Sequence, residues 1–276
     1  SKTRMCKLIG TPENNGTLDL KIVGAGHHGH IMSLHVKSLA QDYEDSPETK
    51  KREQLAIIGD MVRSISVVKY YTEFQTLEEV ARDYNQNWVT AIEMLTDDIY
   101  LGAENFNNIF ALQRNSRDPS EEIRCRLDTV GLFNVGEMIN KFMRGGLVVP
   151  NHSSATSSLG SDEAKAMNSM LSEDVIRNSD FSPRIGSQTL FGTVDGTLGS
   201  IIGLDASTAA FFTALQNAIV KVVNPVGNLK HSEFRSYRAQ RSRQNARGFI
   251  DGDLVESFSD LDPLVMGNIV EIMNKE

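Results

Sequence analysis

The sequence predicts an all-β region that extends to about residue 204 and a small α-helical region after it. A unit of two short apolar strands around a turn occurs three times, in residues 55–68, 99–112 and 189–202. Beyond Asp205 the apolar residues recur at three and four positions instead, which is the period of an amphipathic helix. With 40% apolar residues among 276, the chain has enough hydrophobic material for a core. We therefore predict two domains, residues 1–204 and residues 205–276.

The repeated unit has the spacing of a β-propeller blade. In each copy the first strand ends at a glycine, Gly59, Gly102 or Gly192, where we expect neighbouring backbones to crowd or a turn to need positive φ. Gly59 and Gly102 lie 43 residues apart, close to the period of roughly 40 to 45 residues of a four-stranded blade. A Ser-, Asn- and Asp-rich insertion at residues 151–188 separates the third copy from the second. We predict a partial propeller, with the insertion as a solvated loop that contains a short helix near residues 162–171.

The stretch of residues 82–110 holds the only tryptophan, Trp88, and predicts a meander. Alternation over residues 89–95, an acidic turn, the apolar run 99–101 and a third run from Ile109 indicate three short strands. Upstream, the charged residues 41–52 predict a long hairpin loop.

Two helices are predicted in the second region. Residues 207–223 have apolar positions at helical spacing, and Asp205 or Ser207 can cap the first turn. Near the end, Asp262 followed by proline indicates a second helix start. The predicted apolar face of that helix consists of Met266, Val270 and Met273.

Charge and cysteine content limit the possible functions. The balance of 28 Lys+Arg against 36 Asp+Glu gives a net charge of -8, which weighs against binding a polyanion through the whole surface. The two cysteines, Cys6 and Cys125, are few for this length and indicate a reducing compartment. No apolar run reaches membrane-spanning length, and the first ten residues lack the core of a secretory signal. We expect a soluble intracellular protein with no membrane partner, and the start at Ser1 suggests a piece of a longer chain.

Three glycines, Gly24, Gly26 and Gly29, form a G-x-G-x-x-G pattern directly after the apolar run 18–23. Such a pattern binds dinucleotides when a helix follows it and an acidic residue comes about 20 residues later. The candidate acid, Asp60, lies 34 residues beyond Gly26. We therefore favour a glycine-rich turn between strands and keep a nucleotide-dependent oxidoreductase as the weaker alternative. The nearby histidines lack further ligands at zinc spacing, so no catalytic, cofactor or metal site is predicted.

A basic segment, residues 230–247, carries six cations, one acid and two interleaved aromatic residues. This pattern fits a nucleic-acid contact. It also fits a loop that packs on the acidic segment 251–262 or faces solvent, and we favour this second interpretation.

Several longer motifs make the sequence resemble one family. They are GDMVRSISV, ARDYNQNWVTAIEML, YLGAEN, VGLFNVGEMIN, LFGTVDGTLG, and FRSY followed by GFIDGDLVESF. From about residue 28 to residue 258, these motifs resemble the C-terminal part of the large subunits of damage-specific DNA-binding complexes, the adaptors of cullin-four ubiquitin ligases. Related large subunits of the cleavage-and-polyadenylation factor and of splicing factor 3b share the FRSY and IDGDL themes. An RNA-processing paralogue is therefore the alternative within the same fold.

The resemblance implies both a fold and a role. The family has three seven-bladed propellers and a C-terminal helical domain, so this chain resembles about three last blades of the third propeller together with that domain. It implies a non-enzymatic adaptor without a cofactor, found in nucleus and cytoplasm and linked to DNA repair and protein ubiquitination. The implied partners are substrate receptors, the remaining propellers of the adaptor and, indirectly through a partner, damaged DNA.

In the family, a cleft between the first and third propellers grips a short helical motif of the substrate receptors. The resemblance implies that apolar residues bury the receptor helix, arginines pair with its acids or carbonyls, and asparagines bond its backbone. Position by position, the third-propeller side of the cleft falls on Met32, Leu34, Met61, Arg63, Arg82, Trp88, Asn105, Met138, Asn140 and Val194.

The sequence also departs from the family pattern. His35, Met138 and Lys141 stand where the family has tyrosine, phenylalanine and valine, which changes the expected receptor repertoire. The insertion is longer than usual, and the chain ends before the family's final helix would finish. Without the cullin-binding middle propeller and the first propeller, we expect no cullin recruitment by this chain alone and only half of the receptor cleft. The open strand edges of a partial propeller favour association.

Overall fold

The computed structural model describes residues 2–10, 18–28, 36–37, 55–71, 74–146, 188–240 and 242–274. In these ranges the strands are β1 (Lys2–Gly10), β2 (Leu18–His28), β3 (Val36–Lys37), β4 (Leu55–Asp60), β5 (Ser64–Tyr71), β6 (Thr76–Arg82), β7 (Val89–Met94), β8 (Ile99–Glu104), β9 (Asn108–Arg114), β10 (Leu127–Asn134), β11 (Ile139–Arg144), β12 (Gln188–Thr193), β13 (Leu198–Ile202), β14 (Tyr237–Arg238) and β15 (Arg243–Gln244). The α-helices are α1 (Glu121–Arg124), α2 (Ala206–Val222), α3 (His231–Phe234), α4 (Gly252–Glu256) and α5 (Pro263–Met273).

Three antiparallel sheets dominate the first region. The first sheet joins β3, β4, β5 and β6 in chain order, the second joins β7 to β10, and the third joins β11 to β13. Strands β1 and β2 form a separate hairpin, and β14 pairs with β15. Neighbours in the sequence pair throughout these sheets, which is the arrangement that short turns permit between antiparallel strands. The predicted β character of this region is confirmed.

The first sheet is covered on both faces. Its strand β4 has consecutive buried residues, Ile57 and Ile58, whereas a sheet with one solvated face would alternate buried and exposed positions. Ile57 belongs to an apolar cluster that includes Val89 and Ile92 of the second sheet. Ile58, on the opposite face, packs with Val68. The first and second sheets therefore pack face to face.

The second sheet is the middle layer. Tyr100 and Phe110 lie in the cluster shared with the first sheet. Ala103 and Ile109 belong to a different cluster, which includes Phe142 of the third sheet. The second sheet therefore packs against the first sheet on one face and against the third sheet on the other.

The three two-strand units predicted from the sequence are confirmed as β4–β5, β8–β9 and β12–β13. The reason given for their glycines is wrong, because Gly59, Gly102 and Gly192 lie inside the second strand of each sheet and none has a positive φ. A Cβ at Gly102 would overlap the ring of Phe110, its cross-strand partner. A Cβ at Gly59 would come within 3.0 Å of Val89 on the neighbouring sheet. At these two positions glycine leaves room for a side chain.

The glycine pattern after the first apolar run is not a turn. Gly24 lies inside β2, opposite Met5 of β1, and the strand continues to His28, while Gly29 is outside the described residues. The helix that a dinucleotide site requires next is also contradicted, because Val36–Lys37 form strand β3. For residues 24–28 the interpretation as a turn is therefore wrong, and the helix over residues 31–39 on which the oxidoreductase alternative depends is contradicted.

The two predicted helices are confirmed as α2 and α5. Asp205 caps α2 by accepting hydrogen bonds from two backbone N–H groups of its first turn, and Asp262 caps α5 in front of a proline. The predicted apolar face of α5 needs correction. Ile269 is fully buried and shares an apolar cluster with Ile219 of α2, whereas Val270 is 46% exposed.

Some sequence predictions fall outside the described residues. These are the loop at residues 41–52, the helix near residues 162–171 and residues 151–187 of the insertion, while Gln188 begins β12 instead of ending the loop. Across the described ranges, no helix has the length and apolar composition needed to cross a lipid bilayer. The division into two domains stays a prediction.

The helical region is anchored to the second sheet through Arg235, which is buried. Its Nε and Nη2 donate to the carboxylate of Asp251 at 2.6 and 2.9 Å, and Nη1 donates to the carbonyl of Val135 at 3.2 Å. The ring of His231 lies 2.8 Å from the same carboxylate. Burial alone would raise the pKa of Asp251, but the hydrogen bonds from His231 and Arg235 outweigh it, and the pKa lies at about 2. For Arg235, the predicted packing of the basic segment on the acidic segment is confirmed.

Backbone from the same region covers the outer strand of the second sheet. The N–H and C=O groups of Leu132 in β10 bond to Arg247 at 2.8 and 2.9 Å, and the N–H of Asn134 donates to the carbonyl of Arg235 at 3.1 Å. Part of the outer edge of β10 is thus paired, and those groups are unavailable to another chain.

Candidate protein-docking site

The turns between the second and third strands of the three sheets define one end of the β region. We call this end, with the turns at residues 61–63, 105–107 and 194–197, the docking face. Most of the described candidate residues lie in or beside these turns. The N–H of Asn105, in the β8–β9 turn, donates to the carbonyl of Trp88 at 3.1 Å. In the third sheet, the N–H of Val194 donates to the carbonyl of Met138 at 2.9 Å. Trp88 and Met138 directly precede the first strands of the second and third sheets, β7 and β11. Each of these strands therefore starts beside the turn that joins the second and third strands of its own sheet.

An oxygen-bearing side chain at the end of each second strand holds the adjacent turn. Asp60 accepts hydrogen bonds from the N–H groups of Val62 and Arg63 at 2.8 and 3.2 Å. Thr193 accepts a hydrogen bond at 3.0 Å from the N–H of Thr197. Such side-chain bonds to turn backbone fix the turn conformation. The docking face is therefore a set of braced turns.

Glu104 does the same in the second sheet and is buried. It accepts from the backbone of Phe106 and from the side chain of Asn108. Burial raises the pKa of Glu104 to about 7, and the two hydrogen bonds lower it by less. Its charge state therefore changes near neutral pH, directly beneath the β8–β9 turn.

Large apolar side chains are exposed on the docking face. Trp88 is 48% exposed and Val194 is 55% exposed. Sequence reasoning missed Val62 and Phe106, which are 50% and 44% exposed in the first two turns. A signal was present for Phe106, which stands between Asn105 and Asn107 in a tight turn, where packing does not require a large apolar residue. Val62 directly follows the predicted candidate Met61 in the first turn. Together these side chains present an apolar surface on a rigid support.

Polar candidates flank this surface. Arg63 is exposed in the β4–β5 turn, and Met61 beside it is half-buried. Asn140 is exposed at a register shift between β11 and β12. The side-chain oxygen of Asn105 is buried and has no hydrogen-bond partner within the described part of the chain. A buried acceptor in this state is costly, so a donor from a partner would be favourable there.

Arg82 lies outside these turns but at the same end of the first sheet, where it pairs with Ser66 near the start of β5. It ends β6, the outermost strand of the first sheet, and its N–H donates to the carbonyl of Cys125 at 3.1 Å. Its guanidinium stacks 4.5 Å from the ring centre of Tyr84, and Nε lies 3.9 Å from the carboxylate of Glu79. Met32 and Leu34 are outside the described residues, and their membership of the site stays a prediction.

Comparison with known proteins shows the family of this chain. The family model of the CPSF A subunit region matches residues 21–260. DNA damage-binding protein 1a of Arabidopsis thaliana is 36% identical over 261 residues, which cover 95% of this chain and 20% of that protein. DNA damage-binding protein 1 of Oryza sativa subsp. japonica is 36% identical over 236 residues, covering 86% of this chain and 18% of that protein. The protein of the same name from Solanum lycopersicum is 35% identical over 262 residues, covering 95% and 20%.

The chain spans about a fifth of the length of the curated relatives that it matches. The resemblance drawn from the motifs is confirmed, because the relatives carry the name of the damage-specific DNA-binding proteins and the family match covers most of the chain. The chain has stacked antiparallel sheets, and its FRSY segment is anchored on the second of them. It belongs to the family of the CPSF A subunit region.

Proposed function

We propose that this chain is a non-enzymatic scaffold segment whose docking face binds a helical motif of substrate receptors. In this proposal the three stacked sheets are consecutive blades of a seven-bladed propeller. Their shared strand order, their face-to-face packing and the equivalent turns at one end support it. The family membership supports it independently.

The chemistry of the docking face suits an amphipathic helix. Four exposed apolar side chains offer contacts at separate points of the face: Trp88, Val62, Phe106 and Val194. A tryptophan that becomes buried on binding often contributes most of the binding energy. Arg63 at the edge can pair with an acidic side chain or a carbonyl of the helix. An amphipathic helix presents apolar residues every three to four positions along one face, and it binds partners by laying that face on an apolar surface.

The biological setting is part of the proposal. Proteins named for binding damaged DNA are similar to this chain, which supports a role in DNA repair. On the resemblance of its motifs we propose further that the chain is part of an adaptor of a cullin-RING ubiquitin ligase. The remaining propellers of that adaptor would supply the other wall of the cleft and the contact with the cullin. Contact with damaged DNA would come through a partner, and the protein would act in nucleus and cytoplasm.

The single observation that carries the proposal is the exposed indole of Trp88 among braced turns. Its test is the affinity of a fluorescein-labelled receptor helix peptide, measured by anisotropy with the chain in large excess. Replacing Trp88 with alanine should weaken binding by roughly 30-fold, as expected for a central aromatic contact worth about 2 kcal/mol. The matched control is Phe74→Ala, because Phe74 is 72% exposed in the turn at the opposite end of the first sheet. Equal losses in the two variants, or unchanged binding by Trp88→Ala, would refute docking at this face.

The second candidate is an RNA-processing subunit of the same fold, favoured by the name of the matched family model. The same anisotropy assay separates the two candidates when a helix peptide from a polyadenylation-factor subunit replaces the receptor peptide. Tighter binding of the polyadenylation peptide would favour this second candidate.

A further inference from the structure

The hydroxyl group of Tyr237 reaches from the helical region to the base of the docking face. Tyr237 belongs to the FRSY segment, is 5% exposed and lies in the apolar cluster shared by the first two sheets. Its hydroxyl donates to the side-chain oxygen of Asn87 at 3.0 Å. On either side, Arg235 is bound to Asp251, and the N–H of Arg238 donates to Asn108 at 3.2 Å. Hydrogen bonds of the residues on both sides therefore fix the backbone that positions the tyrosine ring at this site.

Asn87 belongs to residues 83–88, which we call the tryptophan loop, and it links Tyr237 to the other buried side chains of that loop. Its Nδ2 lies 3.3 Å from both the hydroxyl of Ser64 and the carboxylate of Asp83. Ser64 donates to Asp83 at 2.7 Å, and all three residues are buried. The other oxygen of Asp83 accepts from the backbone and side chain of Asn85 at 3.0 and 2.8 Å. The loop has no regular secondary structure. Its ends are held by backbone bonds, from the N–H of Asp83 to Ile65 and from the N–H of Asn105 to Trp88, and these side-chain bonds hold the residues between.

The direction of the hydrogen bonds follows from the chemistry of the groups. An ionised carboxylate can only accept, so the amide NH2 of Asn87 faces Asp83 and Ser64. Its carbonyl oxygen then faces Tyr237, whose hydroxyl has to donate. Tyr237 is the donor that the structure provides to that buried oxygen. Removing the hydroxyl would leave Asn87 with a buried, unsatisfied acceptor.

We propose that Tyr237 is a positioning residue for the docking face, because its hydroxyl holds Asn87 and thereby the loop that presents Trp88. The effect on the loop stands on the hydrogen bonds alone, whereas the effect on binding rests on the proposed function. The helical region is then more than a neighbour of the β region. Its attachment to the second sheet sets the position of the indole that would meet the partner.

Tyr237→Phe is the decisive variant, since it removes one oxygen and keeps the ring in the core. The matched control is Tyr100→Phe, because Tyr100 is also buried and its hydroxyl donates to the carbonyl of Asp97 at the opposite end of the second sheet. Circular dichroism establishes that both variants fold. The first readout needs no ligand: amide hydrogen exchange of the tryptophan loop and of Asn105, whose N–H bonds to Trp88, together with iodide quenching of the single indole.

We expect exchange in the loop to become about ten-fold faster in Tyr237→Phe and to stay unchanged in Tyr100→Phe. Quenching of Trp88 should increase in the first variant alone. Unchanged exchange and quenching in Tyr237→Phe, or equal changes in both variants, would overturn the role of Tyr237 whatever happens with the peptide.

The second readout is the affinity for the labelled receptor helix peptide. Tyr237→Phe should weaken it by about three- to ten-fold, because a misplaced loop has to be ordered on binding. A loop that is loosened without any loss of affinity would overturn the link between Tyr237 and docking. A peptide that fails to bind the unaltered chain would refute the proposed function, and the first readout would still decide the role of Tyr237 in the loop.

Discussion

Replacing Asp251 with asparagine is expected to loosen the helical region from the second sheet. The carboxylate of Asp251 accepts from Arg235 at 2.6 and 2.9 Å and lies 2.8 Å from the ring of His231. The two side chains of the ion pair are 8% and 5% exposed. The substitution keeps the size of the side chain and removes its charge, so the guanidinium loses its main buried counterion.

Two arguments give the size of the effect. Breaking a buried ion pair by removing one partner costs about 3 to 5 kcal/mol, since the other charge stays buried without compensation. The pKa of Asp251, about 2 against an ordinary 3.8, indicates that the folded environment favours the carboxylate by roughly 2 to 3 kcal/mol. The carbonyl of Val135 and the ring of Phe133, 4.9 Å from the guanidinium, still stabilise the cation in the variant. We therefore expect a loss of about 3 kcal/mol, at the lower end of the first range.

Urea unfolding followed by far-ultraviolet circular dichroism measures this loss, and hydrogen exchange of the Asn134 amide, which bonds to Arg235, locates it. The matched control is Asp253→Asn, because Asp253 also lies 3.2 Å from Arg235 but its side chain is 91% exposed. An exposed pair contributes at most about 1 kcal/mol, so the control should stay close to the unaltered chain. Equal effects of the two substitutions, or a loss below about 1 kcal/mol for Asp251→Asn, would refute the view that a buried charge pair anchors the helical region.

Two further predictions concern the second sheet. Gly102→Ala should lower the unfolding free energy by about 1 to 3 kcal/mol, because the added methyl group overlaps the buried ring of Phe110, whereas Gly192→Ala, with its nearest neighbour at 3.8 Å, should change it little. Thermal unfolding of both variants checks this, and similar midpoints would contradict it. Burial raises the pKa of Glu104 to about 7 from an ordinary 4.5, so the folded state binds its proton more tightly and stability is lost as pH rises from about 4.5 through 7. Glu104→Gln should remove most of that dependence and stabilise the chain by about 1 to 3 kcal/mol at pH 8, which urea midpoints at pH 5 and pH 8 test; an unchanged slope would show that Glu104 is not its source.

Local patterns predicted the secondary structure well where burial and capping are local. The alternation in residues 89–95 and the three two-strand units correspond to observed strands, and Asp205 and Asp262 cap the helices that they were expected to start. The buried face of α5 was predicted wrongly, because apolar residues at three- and four-residue spacing form more than one candidate stripe along this helix. Only the position of α2 decides that Ile269 is buried and Val270 is exposed.

The glycine patterns show a different limit. The G-x-G-x-x-G spacing says nothing about whether the chain turns, and pairing of Gly24 with Met5 across the hairpin keeps that segment extended. At position 102 glycine is required because the ring of a residue on the next strand occupies the space that a Cβ would fill. A pattern that depends on a cross-strand neighbour cannot be interpreted from spacing alone, because the register is set by tertiary packing.

The sequence by itself determined the change from strands to helices, the repeated two-strand unit and, through its longer motifs, the family. Hydrophobic period and capping chemistry are local properties, so they can be recognised without a structure. The resemblance had assigned Trp88, Asn105, Met138 and Val194 to one site, and the tertiary structure supplied the backbone contacts Trp88–Asn105 and Met138–Val194. The tertiary structure alone decided that Val62 and Phe106 are exposed in the neighbouring turns and that Tyr237 bonds to Asn87 of the tryptophan loop. These juxtapositions depend on face-to-face packing of sheets and on hydrogen bonds across as many as 150 residues, which no local pattern encodes.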